Sequence, residues 1–494
     1  MSAPTSSDRA VNVTDGALIK PLVVLSIPII LTNMLQVGYN LADTFWVGRL
    51  GGPAIAALSF SWAIVFLIIS LSLGFSVAGT VLVAQHKGAG NADRVGHVAG
   101  QTISLVIGVS VLFSIAGFAL APALLELVGA ASGSEEHRLA VEYTRTMFAG
   151  IPFIFGFFVF QSLLQGWGDT RTPLYLMAFG VGLNVFIDPF FILGFQDNVL
   201  LAWVGLEGFE TTLYGVTGFA GFGVQGAAFA TILSRGIGAV IGVWLLLSGS
   251  VGIAVSPSDL RPELETVRNL VRIGAPASVE ISTSALSTTI LTALVAIAGA
   301  EAVAAYGIGT RITSMVILPA LGLARGVETV VGQNLGARQP ARARRGVIAA
   351  VGMIAACLAV FTVGIYLLAG PVVGGFISGT GEAAVTAIGA EYLRIVGLSY
   401  VFLGAFYVVQ GGFRGSGNTR AAMLFAFIGF IVFRALFAYA LAVPAGLGAT
   451  GIWYGEATAN VLMALLVVVY FLRGAWTGRV IEADDPTTAR GERS

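Results

Sequence analysis

Two aspartates interrupt otherwise apolar stretches of this chain: Asp43, in Asn40-Leu41-Ala42-Asp43-Thr44, and Asp188, in Asn184-Val185-Phe186-Ile187-Asp188-Pro189. A carboxylate surrounded by hydrocarbon is costly and usually functional. Asn184 and Asp188 are four apart, so on a helix they share a face, and Pro189 can free backbone carbonyls nearby. Thr231, at the end of Gly226-Ala-Ala-Phe-Ala-Thr231, could add a hydroxyl. Two carboxylates close together in a poorly hydrated cavity resist ionising together. Such a pair can accept a proton or a hard cation such as Na+ coordinated by oxygens, and its release can be coupled to movement. A proton or Na+ site at Asp43, Asn184, Asp188 and Thr231 is therefore the expectation. The alternative is that the aspartates only cap or bend their helices.

Other chemistry finds little support. Cys357 is the single cysteine, so one chain builds neither a disulfide nor a thiolate metal site. His86, His97 and His137 fall in or beside polar connections, outside any HExxH, CxxC or GxxxxGK[ST] pattern. No cofactor and no enzymatic activity are expected. The 26 Lys and Arg balance the 26 Asp and Glu, which disfavours nucleic acid as a partner.

The elements that would hold the aspartates are membrane helices. Of the 494 residues, 56% are hydrophobic and 11% charged, and the mean hydropathy is +0.89. Apolar runs separated by polar turns give twelve spans, near 22–48, 55–84, 98–128, 140–166, 173–195, 223–250, 270–298, 303–335, 345–377, 388–412, 420–442 and 450–473. Several exceed 25 residues, which implies tilt, kinks or extension beyond the bilayer. Of the 26 Lys and Arg, three (Arg49, Arg138, Arg145) flank the odd-numbered gaps and five (Arg235, Arg311, Arg325, Arg394, Arg434) fall within spans. The other eighteen flank the even-numbered gaps and the tails, Arg414 among them. That bias predicts both termini in the cytoplasm of a multi-pass protein of the cell membrane.

The chain also contains itself twice. A shift of 248 residues aligns Pro28 with Pro276, Gly51 with Gly299, Gly74 with Gly322, Gln85 with Gln333 and Gly88 with Gly336. At 249, Gly168-Asp-Thr-Arg171 meets Gly417-Asn-Thr-Arg420, and at 225, Gly221 to Gly226 meets Gly446 to Gly451. The first copy thus carries extra residues in an outer loop near 196–220. Copies with an even number of spans share one orientation and are related by an axis along the membrane normal. The expected fold is all-α: twelve transmembrane helices in two pseudo-twofold-related six-helix lobes around a central cleft, hardware suited to alternating access. The expected layout is a cytoplasmic N-terminal segment over 1–21, lobes over 22–250 and 270–473, a linker over 251–269 and a cytoplasmic tail over 474–494.

The copies differ where the chemistry should lie. Asp43 faces Leu291 in the repeat, Asn184 and Asp188 face Phe433 and Phe437, and Thr231 faces Glu456. At 1.5 Å per residue, Asp43, Asp188 and Thr231 all fall in the outer half of the membrane, whereas Gln161 falls nearer the cytoplasm. The second copy has Glu280 without an obvious local partner, an Arg325/Glu328 pair that reads as structural, Arg434, and Glu456. Pro28 and Pro276 should kink their spans close to these acids, as hinges or as simple packing bends.

The series Pro28…Asp43-Thr-Phe-Trp-Val-Gly48, Gln85-His-Lys-Gly-Ala-Gly90, Gly166-Trp-Gly-Asp-Thr-Arg-Thr-Pro173, Asn184-Val-Phe-Ile-Asp188-Pro189, Gly223-Val-Gln-Gly-Ala-Ala-Phe-Ala-Thr231 and Gly274-Ala-Pro276 resembles the multidrug and toxic compound extrusion (MATE) family, in particular its DinF-like prokaryotic branch. The resemblance implies export of cationic or amphipathic organic compounds in exchange for H+ or Na+, with small organic molecules and membrane lipids as partners and a monomer as the working unit. Asp43 and Asp188 match the branch's first-lobe aspartates, Asn184 and Thr231 their polar partners, and Pro28 the proline whose helix bends during transport. Glu280 matches an acidic position in span 7, and Gln161 stands where a related member has asparagine, each a substrate or ion contact. The aspartate that some members carry late in the second lobe has no match, and the loop Gln196 to Ala220 departs from the compact family connection.

An antiporter is the leading expectation. A lipid-linked precursor flippase of the same ancestry would line its cleft with cationic residues. An intramembrane enzyme would need a nucleophile with a base, or metal ligands, and a receptor or scaffold would not need an asymmetric acidic cluster.

Overall fold

In lipid every backbone amide and carbonyl must find its partner within the chain, and apolar runs of this length do so as helices. The computed structural model describes residues 10–196, 198–377, 382–474, 476–478 and 481, and contains helices and no strand among them. The first copy forms α1 (Ile19–Gly48), α2 (Gly52–Gly88), α3 (Ala92–Leu127), α4 (Glu135–Trp167) and α5 (Arg171–Leu193), then two short helices, α6 (Val199–Trp203) and α7 (Glu207–Thr217), and α8 (Val224–Leu247). The second forms α9 (Leu264–Ala296), α10 (Ala300–Gly336), α11 (Pro340–Gly374), α12 (Glu382–Gly397), α13 (Tyr400–Gly415), α14 (Thr419–Ala426), a π-helical turn (Phe427–Phe433), α15 (Arg434–Ala442) and α16 (Gly448–Leu472). Eleven helical spans are long and apolar enough to cross a bilayer, and α12 with α13, bent by 53°, makes the twelfth. The protein is an all-α multi-pass membrane protein of two lobes.

Turn chemistry repeats with the copies. Gly51 and Gly299 precede α2 and α10 with φ of 106° and 108°, a conformation glycine adopts without strain. Asn91 and Ser134 cap α3 and α4 through their side chains. α2 and α10 each run 37 residues, roughly 55 Å at 1.5 Å per residue against a hydrocarbon core of about 30 Å. Both therefore extend beyond the bilayer.

The lobes meet where α1 and α2 pack on α9 and α10. Because lipid is as apolar as the helix faces, close packing and hydrogen bonds must hold such a contact. Both are present, and the close packing comes in a symmetric pair. A Cβ on Gly74 would lie 2.3 Å from the Ser278 nitrogen, and one on Gly322 would lie 3.2 Å from the nitrogen of Ile30, the repeat equivalent of Ser278. Ser278 donates to the Leu71 carbonyl at 3.1 Å, and the Ser70 and Ser282 hydroxyls meet at 2.7 Å.

At the end bearing the 85–91 and 333–339 turns, Gln85 donates to the Gly415 carbonyl (3.3 Å), Gln333 to that of Gly166 (2.9 Å) and Thr329 to that of Gln165 (2.9 Å). The segment before α1 lies across this seam. The Val11 amide donates to the Gly168 carbonyl of the first lobe, while the Val13 carbonyl accepts from Asn334 and Arg342 of the second. Between the copies, the Gln101 side chain on α3 donates to the carbonyls of Asp259 and Arg261 and accepts from the Glu263 amide, so the linker is tied to the first lobe.

The structure refines two of the expected elements. The tenth span is not one straight helix: it breaks at Leu398-Ser399, where the Ser399 hydroxyl donates to the Val396 carbonyl and Thr362 to that of Gly397, so the break leaves both carbonyls satisfied. The outer loop near 196–220 is structured. Beyond carrying α6 and α7, it is fastened by Asn198, whose amide side chain donates to the carbonyls of Pro189 (3.0 Å) and Gly194 (2.6 Å) and whose backbone N–H donates to buried Glu210 (2.6 Å). Expected segments over 1–9 and most of 479–494 lie outside the described residues.

Candidate functional site

Three helices of the first lobe each contribute two side chains one turn apart. α1 supplies Tyr39 and Asp43, α5 supplies Asn184 and Asp188, and α8 supplies Thr231 and Arg235. All six are buried, with Asn184 and Asp188 at 0% exposure. The i, i+4 spacing puts each pair on one helix face, and α1, α5 and α8 pack side by side. The Asn184 amide donates to Asp188 Oδ1 at 3.2 Å. The Asp43 carboxyl stands beside Asp188, Tyr39 and Asn184, and Tyr143 of α4 stands near both aspartates. Thr231 donates to the Ala227 carbonyl at 2.9 Å, so its oxygen accepts from the Tyr39 hydroxyl, with which it is paired.

Three oxygens of this cluster, Asp43 Oδ1, Asn184 Oδ1 and Asp188 Oδ2, are buried without a hydrogen-bond partner. Buried acceptors are rarely left so, and a set made only of oxygens suits a proton or a hard cation. Among the described residues no three His, Cys, Asp or Glu side chains group as a metal site.

The positions singled out from sequence divide. Asp43, Asn184, Asp188 and Thr231 fall in one cluster. Gln161 is half-buried on α4 and makes no hydrogen bond to any of them. Pro28 lies inside α1 fifteen residues before Asp43, and Thr32 donates to its carbonyl at 2.8 Å. Glu280 sits in the other lobe and does have a partner: Arg414 donates to it at 2.5 Å and to Glu328 at 3.2 Å, with Arg325 3.5 Å from Glu328. Glu280 has no partner nearby in sequence; its partner comes from α13, and Arg414, expected beside a connection, lies within that helix. Arg414 is on α13 and nearly buried; a long side chain near a helix end can reach inward to carboxylates that would otherwise be uncompensated.

Tyr39, Tyr143 and Arg235 were not anticipated as members of the site. Tyr39 precedes Asp43 by four residues and Arg235 follows Thr231 by four, so helical spacing could have found both. The equivalent place in the second lobe is closed by its own ion pair. Arg434 lies 3.3 Å from Glu456 and donates to Asn460, which donates to Ser399. Beside it the π-helical turn widens the backbone, and Ser287 donates to the Phe430 carbonyl at 2.7 Å.

The family model named MatE matches the chain twice, over residues 28–190 and 276–440. The chain belongs to the MatE family. It is a membrane transporter and not an enzyme. One MatE match falls in each copy, from within α1 to within α5 and from within α9 to within α15. Similar proteins include the probable multidrug resistance protein YpnP of Bacillus subtilis (29% identical, covering 95% of this chain and 98% of that protein) and the probable multidrug resistance protein NorM of Thermotoga maritima (28%, 94% and 94%). Among solved structures, MATE in complex with MaL6 shares 25% identity with a TM-score of 0.84 over 94% of this chain and 98% of that one. An outward-facing multidrug resistance MATE transporter of the MOP superfamily also scores 0.84, at 25% identity, with 95% and 98% covered.

Proposed function

We propose that this MatE protein is a secondary antiporter that exports cationic or amphipathic organic compounds by alternating access, exchanging them for H+ or Na+ at Asp43, Asn184, Asp188 and Thr231. The observation that carries the reading is the set of three partnerless oxygens around two adjoining carboxyls. A bound positive charge compensates such a cluster, so loading and unloading can bias a two-state protein. The relatives' names, several of them multidrug resistance proteins, support small organic compounds as cargo.

Two lobes joined by a tied linker supply the moving bodies, with 22–250 and 270–473 as the units. Pro28 supplies a hinge within α1, since a proline there leaves the Val24 carbonyl without its helical donor. The excess of Lys and Arg beside the 85–91 and 333–339 turns supports a cytoplasmic location for that end and for both termini, in the cell membrane. The flippase alternative is disfavoured by the buried arginines of the second lobe. Arg414 and Arg434 are both engaged by glutamates, leaving neither free for a pyrophosphate.

The test uses the full chain in liposomes with ethidium as a fluorescent organic cation, under an imposed H+ or Na+ gradient. Asp43→Asn and Asp188→Asn should each abolish gradient-driven export while the protein remains folded. Export indifferent to both gradients, or unchanged in both variants, refutes the antiporter reading.

A further inference from the structure

Arg235 is the one charged side chain in the first-lobe cluster that the exchange reaction does not use. It is 6% exposed on α8, one turn from Thr231. Its partners are weak for a guanidinium: the Gln36 amide oxygen, the Met177 sulfur at 2.8 Å, and the faces of Tyr39 and Phe157 at 5.0 to 5.3 Å. Gln36, Tyr39 and Asp43 follow one another up a single face of α1. The guanidinium thus lies over the Tyr39 ring with Asp43 one turn further on, and among the described residues no carboxylate oxygen comes within ion-pairing distance of it.

Charge counting gives this placement a meaning. The titratable and charged groups facing the cluster are Tyr39 and Asp43 from α1, Tyr143 from α4, Asp188 from α5 and Arg235 from α8. With both tyrosines neutral and both aspartates ionised, the group carries one net negative charge, and a single added positive charge neutralises it. In the second lobe the same arithmetic closes at zero, because Arg434 and Glu456 are one of each sign in direct contact.

We propose that Arg235 is a tethered counter-ion of the Asp43–Asp188 pair, which restricts the pair to one positive charge per cycle and makes that charge a proton rather than Na+. A proton can sit between two carboxyl oxygens without approaching the guanidinium. Na+ needs about six oxygens around it, and it would stand beside a fixed positive charge in a poorly hydrated site, where like charges repel strongly. Thr231, the hydroxyl best placed as a further ligand, already shares its oxygen with Tyr39 and gives its proton to Ala227. When the proton leaves, the loosely held guanidinium has a free carboxylate one turn away to pair with, and the move from Tyr39 to Asp43 becomes part of the conformational change.

This inference rests on the aspartate pair being the coupling site, and the experiment separates the two. In liposomes loaded with ethidium, the unaltered protein should export under a pH gradient in the absence of Na+, and a Na+ gradient alone should drive nothing. Arg235→Met leaves two uncompensated carboxylates, so Na+ should stimulate its export and retained radioactive Na+ should rise by about tenfold or more. Arg235→Lys, which keeps the charge, should preserve the original ion dependence. Export by the unaltered protein under a Na+ gradient alone overturns the proposal without any variant, as does Arg235→Met with unchanged ion selectivity. If Asp43→Asn and Asp188→Asn abolish export while Arg235→Met behaves as the original, only the role of Arg235 fails. If both aspartate variants export normally, the coupling site itself is wrong.

Discussion

Gly88 lies so close to Gln333 that a Cβ on it would come within 1.9 Å of the Gln333 carbonyl oxygen; Gly336 and Gln85 repeat the contact at 2.0 Å with the lobes exchanged. Two helices cross at each point with backbone against backbone, and small residues permit that approach. The symmetric pair closes the seam at the end bearing the 85–91 and 333–339 turns. Gly88→Ala or Gly336→Ala should force the lobes apart there and shift the population toward a state open at this end. Spin labels at Asp93→Cys and Arg344→Cys, both exposed positions in opposite lobes, with Cys357→Ser, would read the separation. An unchanged distance distribution would show that the seam does not depend on these glycines.

Arg414 holds two buried glutamates, Glu280 and Glu328, whose remaining oxygens Glu280 Oε2 and Glu328 Oε1 have no hydrogen-bond partner. Removing one member of a buried ion network leaves uncompensated charge and typically costs about 3 to 5 kcal/mol. Arg414→Met should therefore lower the unfolding temperature in detergent markedly, and adding Glu280→Gln should recover part of the loss. A variant as stable as the original would mean that the glutamates are neutralised by other means.

Arg342 gathers the chain before α1 through three donors, to the carbonyls of Val13, Asp15 and Gly16. Because Val11 is bonded to the opposite lobe, the segment straps the seam. Arg342→Ala should release it: hydrogen exchange should accelerate over residues 11–16 and the helices should stay protected. Unchanged protection at the Val11 amide would show that Asn334 alone suffices.

Glu263, outside the spans at the start of α9, is held below the ordinary glutamate range by the Thr266 hydroxyl and then by His97. A carboxyl whose folded value is depressed adds stability that is present above its unfolded pKa and lost as pH falls through the folded one. Glu263 is exposed, so its share is small, about 1 kcal/mol or less. Glu263→Gln should lower the unfolding temperature slightly at neutral pH, and the difference should vanish in acid below the ordinary glutamate pKa of about 4.3.

Much of the protein is legible from one sequence because the bilayer allows few solutions. Apolar runs must be helices, so the spans follow from composition, and a repeat that keeps its register over Gly51, Gly74, Gly88 and Gln85 encodes the two lobes. Asp43 and Asp188 are conspicuous for the same reason, being charged where charge is expensive and absent from the other copy. The break at Ser399 is harder to see, because it depends on Thr362 and Asn460, which are remote in sequence.

Pairing is what the tertiary structure decides. Glu280 looks solitary along the chain because its partner, Arg414, is more than a hundred residues away and resembles a connection arginine. Arg434 and Arg235 look alike in sequence, each a lone arginine within a span. Packing gives Arg434 a glutamate to neutralise, whereas it holds Arg235 over a tyrosine ring, one turn short of an aspartate. Sequence determined which charges enter the membrane, since each is conspicuous against hydrocarbon. Only the fold determined which of them are cancelled, because an ion pair is set by distances of a few ångströms between helices whose order along the chain says nothing of how closely they approach.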